Sequence, residues 1–175
     1  MRPLHTSLAA LLAAGCATGA LAQSSVTIFG TVDLGMANLR AGGNSVTGMT
    51  HSNANINRFG FRGTEDLGGG LSAGFWLEAG YSPDTGSGPG PSGTNSMSFN
   101  RRSTVSLQGG FGELRLGRDD SATFLNTLVF DPFLTNGVGG TNAVVMNGAP
   151  IQLSNAASYF TPAGLGGFYA QLQHA

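Results

Sequence analysis

Apolar and polar residues alternate along most of the chain, and this period of two constrains its fold more than any other feature. In residues 26–39 most apolar side chains share one parity, whereas polar side chains such as Asp33 share the other, with Phe29 as the exception. Alternation of this kind predicts strands with one apolar and one polar face. It predicts seven strands, at residues 26–39, 57–63, 71–81, 102–107, 113–116, 155–161 and 168–173.

The connections between these strands alternate between short and long. Three are tight and rich in glycine, at 66–70, 108–112 and 161–167, and three are long and polar, at 40–56, 82–99 and 119–153. Antiparallel strands joined in this way are typical of an outer-membrane β-barrel, whose apolar face meets lipid and whose polar face meets water. A soluble sandwich could share the alternation. Only 10% of the residues are charged, however, and lysine is missing altogether, which favours the membrane.

The first 22 residues predict a cleaved signal peptide. Arg2 and His5 form a short basic region, residues 8–14 are apolar, and Ala20-Leu21-Ala22 is a small-residue cleavage site. The apolar stretch is too short to span a bilayer, which takes about 20 residues. Export across the inner membrane follows, and lipoprotein processing at Cys16 is the alternative.

Composition argues against several classes of function. Eight arginines stand against nine acidic residues, so a basic surface for nucleic acid is missing. One cysteine and three scattered histidines predict no metal site, and we expect no cofactor. The sequence contains no H-E-x-x-H motif and no serine, histidine and aspartate that the strand pattern would bring together, so we expect no enzyme.

Four segments carry a family resemblance. They are SVTIFG at 25–30, RFGFRGTEDLGGGL at 58–71, FGELRLGR at 111–118 and SYFTP at 158–162. Together they resemble the Gram-negative general porins, and most of all the beta-proteobacterial branch. The resemblance implies a homotrimer of 16-stranded barrels in the outer membrane, each with a water-filled pore for small hydrophilic solutes and inorganic ions. It also implies that the third long loop, at 119–153, folds into the barrel and narrows it.

The number of predicted strands bears on whether the chain can form a closed barrel. Seven strands cannot close an antiparallel barrel, and 16 strands need roughly twice this length. We therefore expect residues 23–175 to be the N-terminal half of a porin barrel, from a truncated gene or a partial sequence. The alternatives are a complete eight-stranded barrel with one unrecognised strand and, for function, a surface adhesin or structural barrel that binds through its long loops.

Charged residues on the polar parity are the candidate pore residues, because an arginine that faces lipid at mid-membrane costs about 2 to 4 kcal/mol. The family resemblance implies that Arg58, Arg102 and Asp131 form the pore constriction. The alternatives are ordinary wall charges and, for Asp131, an ordinary turn residue. Further pore-lining residues are predicted at Asp33, Arg62, Glu78, Glu113, Arg115, Asp119 and Asp120.

Two arginines fall on the apolar parity. Arg118 shares the parity of Leu114 and Leu116, which predicts cover by a neighbouring subunit and therefore an oligomer interface. Arg101 precedes Arg102, and we expect it at the membrane rim or in an interface. Related sequences commonly carry another basic residue where this chain has Gln152, so the resemblance implies only weak anion selectivity.

Overall fold

The computed structural model describes residues 25–88, 98–136, 139–146 and 148–175, so the predicted signal peptide and Cys16 lie outside the described residues. Within these ranges the regular structure is mainly β, with two helices. The strands are β1 (Ser25–Thr31), β2 (Leu34–Ala41), β3 (Asn44–His51), β4 (Arg58–Gly68), β5 (Leu71–Gly80), β6 (Arg102–Gly109), β7 (Gly112–Asp120), β8 (Gln152–Phe160) and β9 (Gln171–His174), and the helices are α1 (Ala122–Phe130) and α2 (Asn142–Val145).

Seven strands form one antiparallel sheet in the order β1, β4, β5, β6, β7, β8, β9. The predicted antiparallel all-β plan is confirmed, because each strand after β1 pairs with the next one along the sheet. Register across its centre places Arg62 opposite Trp76 and Trp76 opposite Thr104. Side chains directly opposite one another share a face, so this register defines a polar face of the sheet. The two remaining strands, β2 and β3, form a separate hairpin.

The single long strand predicted at 26–39 is wrong, because the chain leaves the sheet after Thr31. The carboxylate of Asp33 accepts hydrogen bonds from the backbone N–H groups of Ala54 (2.7 Å) and Asn55 (2.8 Å), which fixes the break. Beyond it the chain continues as β2 and returns as β3, inside the segment predicted to be a loop. Alternation continues through the break, and for that reason the sequence pattern did not reveal it.

The segment predicted as a long loop at 119–153 begins and ends in strand and contains both helices. Ser121 caps α1 by accepting a hydrogen bond from the N–H of Phe124 at 3.1 Å, an arrangement that satisfies a free donor of the first turn. The backbone N–H of Ala122 donates to Oε1 of Gln173 on β9 at 2.9 Å. Gln173 lies opposite Ser158, which lies opposite Arg115, so this bond ties the start of α1 to the polar face.

The two faces of the sheet differ sharply in chemistry. Few hydrophobic residues are buried, and the large ones on the opposite, apolar face are mostly exposed. Among the described residues no helix has the length and apolar character to cross a membrane. The exposed side chains on the apolar face include Val26, Ile28, Val105, Leu114, Leu116 and Leu172.

Phe29, the exception to the alternation, packs on the polar face. Its ring lies edge-on to that of Trp76, with the ring centroids 5.0 Å apart. Gly60, opposite Phe29 on β4, makes the space: a Cβ atom there would lie 2.7 Å from Cζ of Phe29 and 2.3 Å from the carbonyl oxygen of Leu77. Glycine at residue 60 is therefore a packing requirement.

We expect Gly60→Ala to destabilise the full-length protein by about 1 to 3 kcal/mol, since overpacking against backbone forces the strands apart. The midpoint of guanidinium unfolding in detergent micelles measures the effect. Gly48→Ala on β3 is the matched control, because a Cβ at that strand position meets no atom within 4 Å. Equal stability of the two variants would contradict the packing role of Gly60.

Candidate functional site

Arginines and carboxylates from four neighbouring segments converge on the polar face. The register of β4, β5, β6 and β7 brings them together although they are far apart in sequence. We name this group the arginine cluster. Its members are Arg58, Arg62, Glu78, Arg101, Arg102, Glu113, Arg115 and Asp119.

One half of the cluster is organised by Glu78, whose side chain is only 8% exposed. Its Oε1 accepts a hydrogen bond from Nε of Arg101 at 2.6 Å and lies 3.9 Å from Nη1 of Arg58. Its Oε2 accepts from the indole Nε1 of Trp76 at 3.0 Å. Arg101 precedes β6, and its side chain turns to Glu78 instead of following the apolar parity that its place beside Arg102 predicts.

The other half is organised by Asp119, whose side chain is 2% exposed. Asp119 accepts a hydrogen bond from Nη1 of Arg115 at 2.6 Å, and its second oxygen lies 3.4 Å from Nε of Arg102. Arg115 also donates to both carboxylate oxygens of Glu113, at 2.9 Å each. A buried carboxylate is stable only with such partners. These arginines therefore compensate the charge of the buried Asp119.

Three aromatic rings also contact arginines of the cluster. The Cζ atom of Arg62 lies 5.0 Å from the Trp76 ring and 5.5 Å from the Phe29 ring. Arg102 lies 4.5 Å from the same Trp76 ring, and Arg115 lies 4.2 Å from the ring of Phe160. Within the described ranges Arg62 forms no ion pair with a carboxylate.

A cavity of about 360 Å³ opens on the polar face beside these groups. The guanidinium groups supply positive charge and hydrogen-bond donors, and the hydroxyl groups supply further donors, so the cavity suits a hydrated anion. Three arginines and one acidic residue line it, and the lining includes Thr27, Arg62, Trp76, Arg102, Thr104, Glu113 and Arg115.

The predicted constriction residues do not all meet in the cluster. Arg58 and Arg102 flank Glu78, with Arg102 directly opposite it across the strands. Asp131 lies elsewhere, at the C-terminal end of α1, where its side chain is buried. Its carboxylate accepts hydrogen bonds from the backbone N–H of Phe133 (2.8 Å) and from the N–H and hydroxyl of Thr141 (2.7 Å each).

Through these bonds Asp131 links Phe133 and Thr141 within the loop that follows α1. Because the N–H of Thr141, the Thr141 hydroxyl and the N–H of Phe133 all favour the ionised form, they lower the pKa of Asp131 below its usual 3.8. Asp33 behaves in the same way, and hydrogen bonds from the backbone of Asn55 and Ala54 lower its pKa. Both acids shape loops through their bonds to backbone.

Two further predicted residues, Asp120 and Arg118, lie outside the arginine cluster. Asp120 ends β7, and its Oδ1 accepts a hydrogen bond from Nε2 of Gln152 at 2.8 Å. Arg118 lies opposite Ser103 on the apolar face, where its Nε donates to the carbonyl oxygen of Asn100 and its Nη1 to the hydroxyl of Ser154 at 2.7 Å. Its charge therefore finds partners within this chain, one just before β6 and one in β8.

Sequence reasoning missed the aromatic partners of the arginines. Trp76 falls on the polar parity of β5, beside Glu78, and this large ring among polar neighbours is the signal that could have identified it. Phe160 gives a weaker signal, because its strand was the one of uncertain parity. The rings matter because they fix guanidinium groups without neutralising them.

Comparison with known proteins gives consistent matches. Residues 7–175 match the Gram-negative porin family. Outer membrane porin protein 32 of Delftia acidovorans is 45% identical over 181 residues, which cover 98% of this chain and 50% of that protein. An outer membrane porin protein of Bordetella pertussis is 34% identical over 177 residues, which cover 90% of this chain and 44% of that protein.

A solved structure agrees with these sequence matches. The anion-selective porin from Comamonas acidovorans superposes with a TM-score of 0.74 at 43% identity, covering 87% of this chain and 47% of that chain. The chain thus spans about half the length of the relatives that it matches. These relatives are channels, and they give no support to the adhesin alternative.

We expect Asp131→Asn to loosen the loop that follows α1, because an amide cannot replace the three bonds of the ionised carboxylate. Faster hydrogen exchange at the amides of Phe133 and Thr141 is the readout. Asp66→Asn is the matched control, since Asp66 accepts from the N–H of Gly68 in another turn and should leave both amides unchanged.

The stabilisation of this loop by Asp131 depends on pH, and the lowered pKa of its carboxyl group fixes the direction. With the pKa of Asp131 depressed, its stabilisation is complete above the usual 3.8 and disappears only as the pH falls through the lower value of the folded state. Exchange at Phe133 and Thr141 should therefore stay slow at pH 5. Loss of protection between pH 6 and pH 5 would contradict the role of this carboxylate.

Proposed function

The chain belongs to the Gram-negative porin family, and from this membership we propose that the whole protein forms a water-filled channel for passive diffusion of small hydrophilic solutes and ions. Its location is the outer membrane, as for the named relatives. The observation that carries the proposal is the two-faced sheet, with exposed apolar side chains on one face and the arginine cluster on the other. Catalysis has no part in the function, because the relatives are channels.

We propose that residues 23–175 form the N-terminal half of a 16-stranded barrel, after a signal peptide at 1–22. The length of the relatives supports this, because the chain spans about half of each. In such a barrel the polar face lines the pore and the apolar face contacts lipid. The edge strands β1 and β9 would then pair with strands of the other half, since an unpaired edge cannot remain in hydrocarbon.

The constriction is proposed to lie at Arg58, Arg102 and Asp131, with the segment 119–153 folded inward. The bond from Ala122 to Gln173 supports inward folding, because it ties the start of α1 to the polar face. Asp131 would contribute mainly by fixing the loop, and the arginines by charge. The other pore-lining residues proposed are Asp33, Arg62, Glu78, Glu113, Arg115, Asp119 and Asp120.

A weak preference for anions is proposed. One relative of known structure is an anion-selective porin. The cluster supports a modest effect, because its five arginines face three carboxylates, or four if Asp120 at the end of β7 is counted. Gln152 bonds to Asp120 through an uncharged amide, so this position adds no positive charge.

We also propose a homotrimer in outer-membrane lipid, with Arg118 near the subunit interface. Arg118 is partly exposed on the apolar face, and a guanidinium there is costly in contact with hydrocarbon. Its bonds to Asn100 and Ser154 lower this cost without removing it. Contact with a neighbouring subunit would cover the rest.

Selectivity tests the channel proposal. We expect Arg58→Gln with Arg102→Gln to lower the anion-to-cation permeability ratio of the full-length protein about tenfold, because two charges near a narrow pore change an anion's energy by about 1.4 kcal/mol. The reversal potential in a salt gradient measures the ratio. Arg40→Gln, on the β2–β3 hairpin, is the control and should leave it unchanged.

An unchanged reversal potential in the double variant would place Arg58 and Arg102 away from the constriction. Absence of any conductance in planar bilayers from the folded full-length protein would instead contradict the channel itself.

Assembly gives a separate test. We expect the full-length protein to migrate as a trimer on unheated SDS gels and as a monomer after boiling, because boiling breaks the ladder of backbone hydrogen bonds. Arg118→Ala should lower the temperature at which the trimer dissociates. A monomeric folded protein would contradict the trimer proposal and leave the channel proposal intact.

A further inference from the structure

Trp76, the single tryptophan of the chain, is held rigidly on the polar face of the sheet. Its indole Nε1 donates to Oε2 of Glu78 at 3.0 Å, which fixes one edge of the ring. Phe29 packs against it at 5.0 Å with an interplanar angle of 61°. The ring therefore has a defined orientation before any solute arrives.

Two arginines reach this ring from the strands on either side of it. Arg62 comes from β4, with its Cζ atom 5.0 Å from the ring centroid, and Arg102 comes from β6 at 4.5 Å. A cation is attracted to the face of an indole by the quadrupole of the ring. The ring carries no net charge, so it orients both guanidinium groups without itself neutralising them.

Carboxylates nearby compete for the same arginines. Nε of Arg102 lies 3.4 Å from Oδ1 of Asp119, farther than the 2.6 Å between Asp119 and Arg115. Arg62 has no carboxylate partner in the part of the chain that the structure describes. Nε of Arg102 also donates to the hydroxyl of Thr104 at 3.1 Å, so the ring and Thr104 together hold Arg102 in a longer ion pair, whereas Arg62 forms none with the described carboxylates.

We infer that Trp76 is a specificity-determining residue of the pore: it holds Arg62 and Arg102 beside the polar-face cavity so that their charge acts on passing solutes. This inference rests on the proposed anion preference and adds a cause that a count of charges does not contain. An uncharged side chain influences the selectivity because it controls how closely two arginines approach the neighbouring carboxylates.

The test is a substitution that leaves the formal charge unchanged. In the full-length protein, Trp76→Leu should lose most of the anion preference, because Arg102 can then shorten its ion pair with Asp119 and Arg62 keeps only the more distant ring of Phe29. Trp76→Phe keeps an aromatic face and should retain most of it. Reversal potentials in a salt gradient compare the variants, after heat-modifiable gel mobility has shown that each is folded.

Phe160→Leu is the matched control. It also removes a ring that lies over an arginine on the polar face, so any change that comes only from a wider pore appears in both variants. Arg115, however, is already held by Glu113 and Asp119 at 2.9 Å and 2.6 Å. We therefore expect Phe160→Leu to leave the reversal potential near that of the wild type.

The outcomes separate this inference from the proposal on which it rests. Three results would each contradict the role of Trp76 and leave the anion preference intact. Trp76→Leu could keep the wild-type reversal potential, or Trp76→Phe could lose as much anion preference as Trp76→Leu. In the third, Phe160→Leu would shift the reversal potential as much as Trp76→Leu does. If the wild-type channel shows no anion preference, the proposed selectivity is wrong and the role of Trp76 falls with it.

Discussion

Backbone hydrogen bonding in a medium without water is the constraint on which the rest of this structure depends. A strand in hydrocarbon must pair every N–H and C=O with a neighbouring strand, and the antiparallel sheet provides neighbours on both sides for the five strands between β1 and β9. Once the strands pair, successive side chains point to opposite faces. Alternation in sequence then becomes an apolar face and a polar face, so that Leu116 is exposed on one side while Arg115 pairs with carboxylates on the other.

The polar face solves a second problem, which is to hold many arginines close together. Glu78 and Asp119 each bind more than one of them, and the rings of Trp76 and Phe160 lie over others. These two kinds of partner have different electrical consequences. A carboxylate cancels the charge it binds, whereas an aromatic ring only fixes its position, so the pattern of partners, more than the net charge, sets the local potential.

The acids of the chain divide by the kind of donor they meet. Glu113 and Asp119 accept hydrogen bonds from guanidinium groups of the wall. Asp33 and Asp131 accept from backbone N–H groups of the loops, and the pKa of each is lowered for that reason. Acidic side chains thus serve two structural purposes: some pair with arginines within the sheet, and others fix the loops at its ends.

Periodicity in the sequence determined the strands from residue 57 onward, their antiparallel order and the face of Arg58, Arg62, Arg102 and Arg115, because alternation is a local property of the chain. Tertiary structure alone decided the break at Asp33, the helices between β7 and β8, and the inward turn of Arg101. It also decided that Arg62 and Arg102 share the ring of Trp76. Strand ends and cross-strand partners depend on hydrogen bonds to residues distant in sequence, such as Ala54 for Asp33 and Glu78 for Arg101, and no local pattern encodes these.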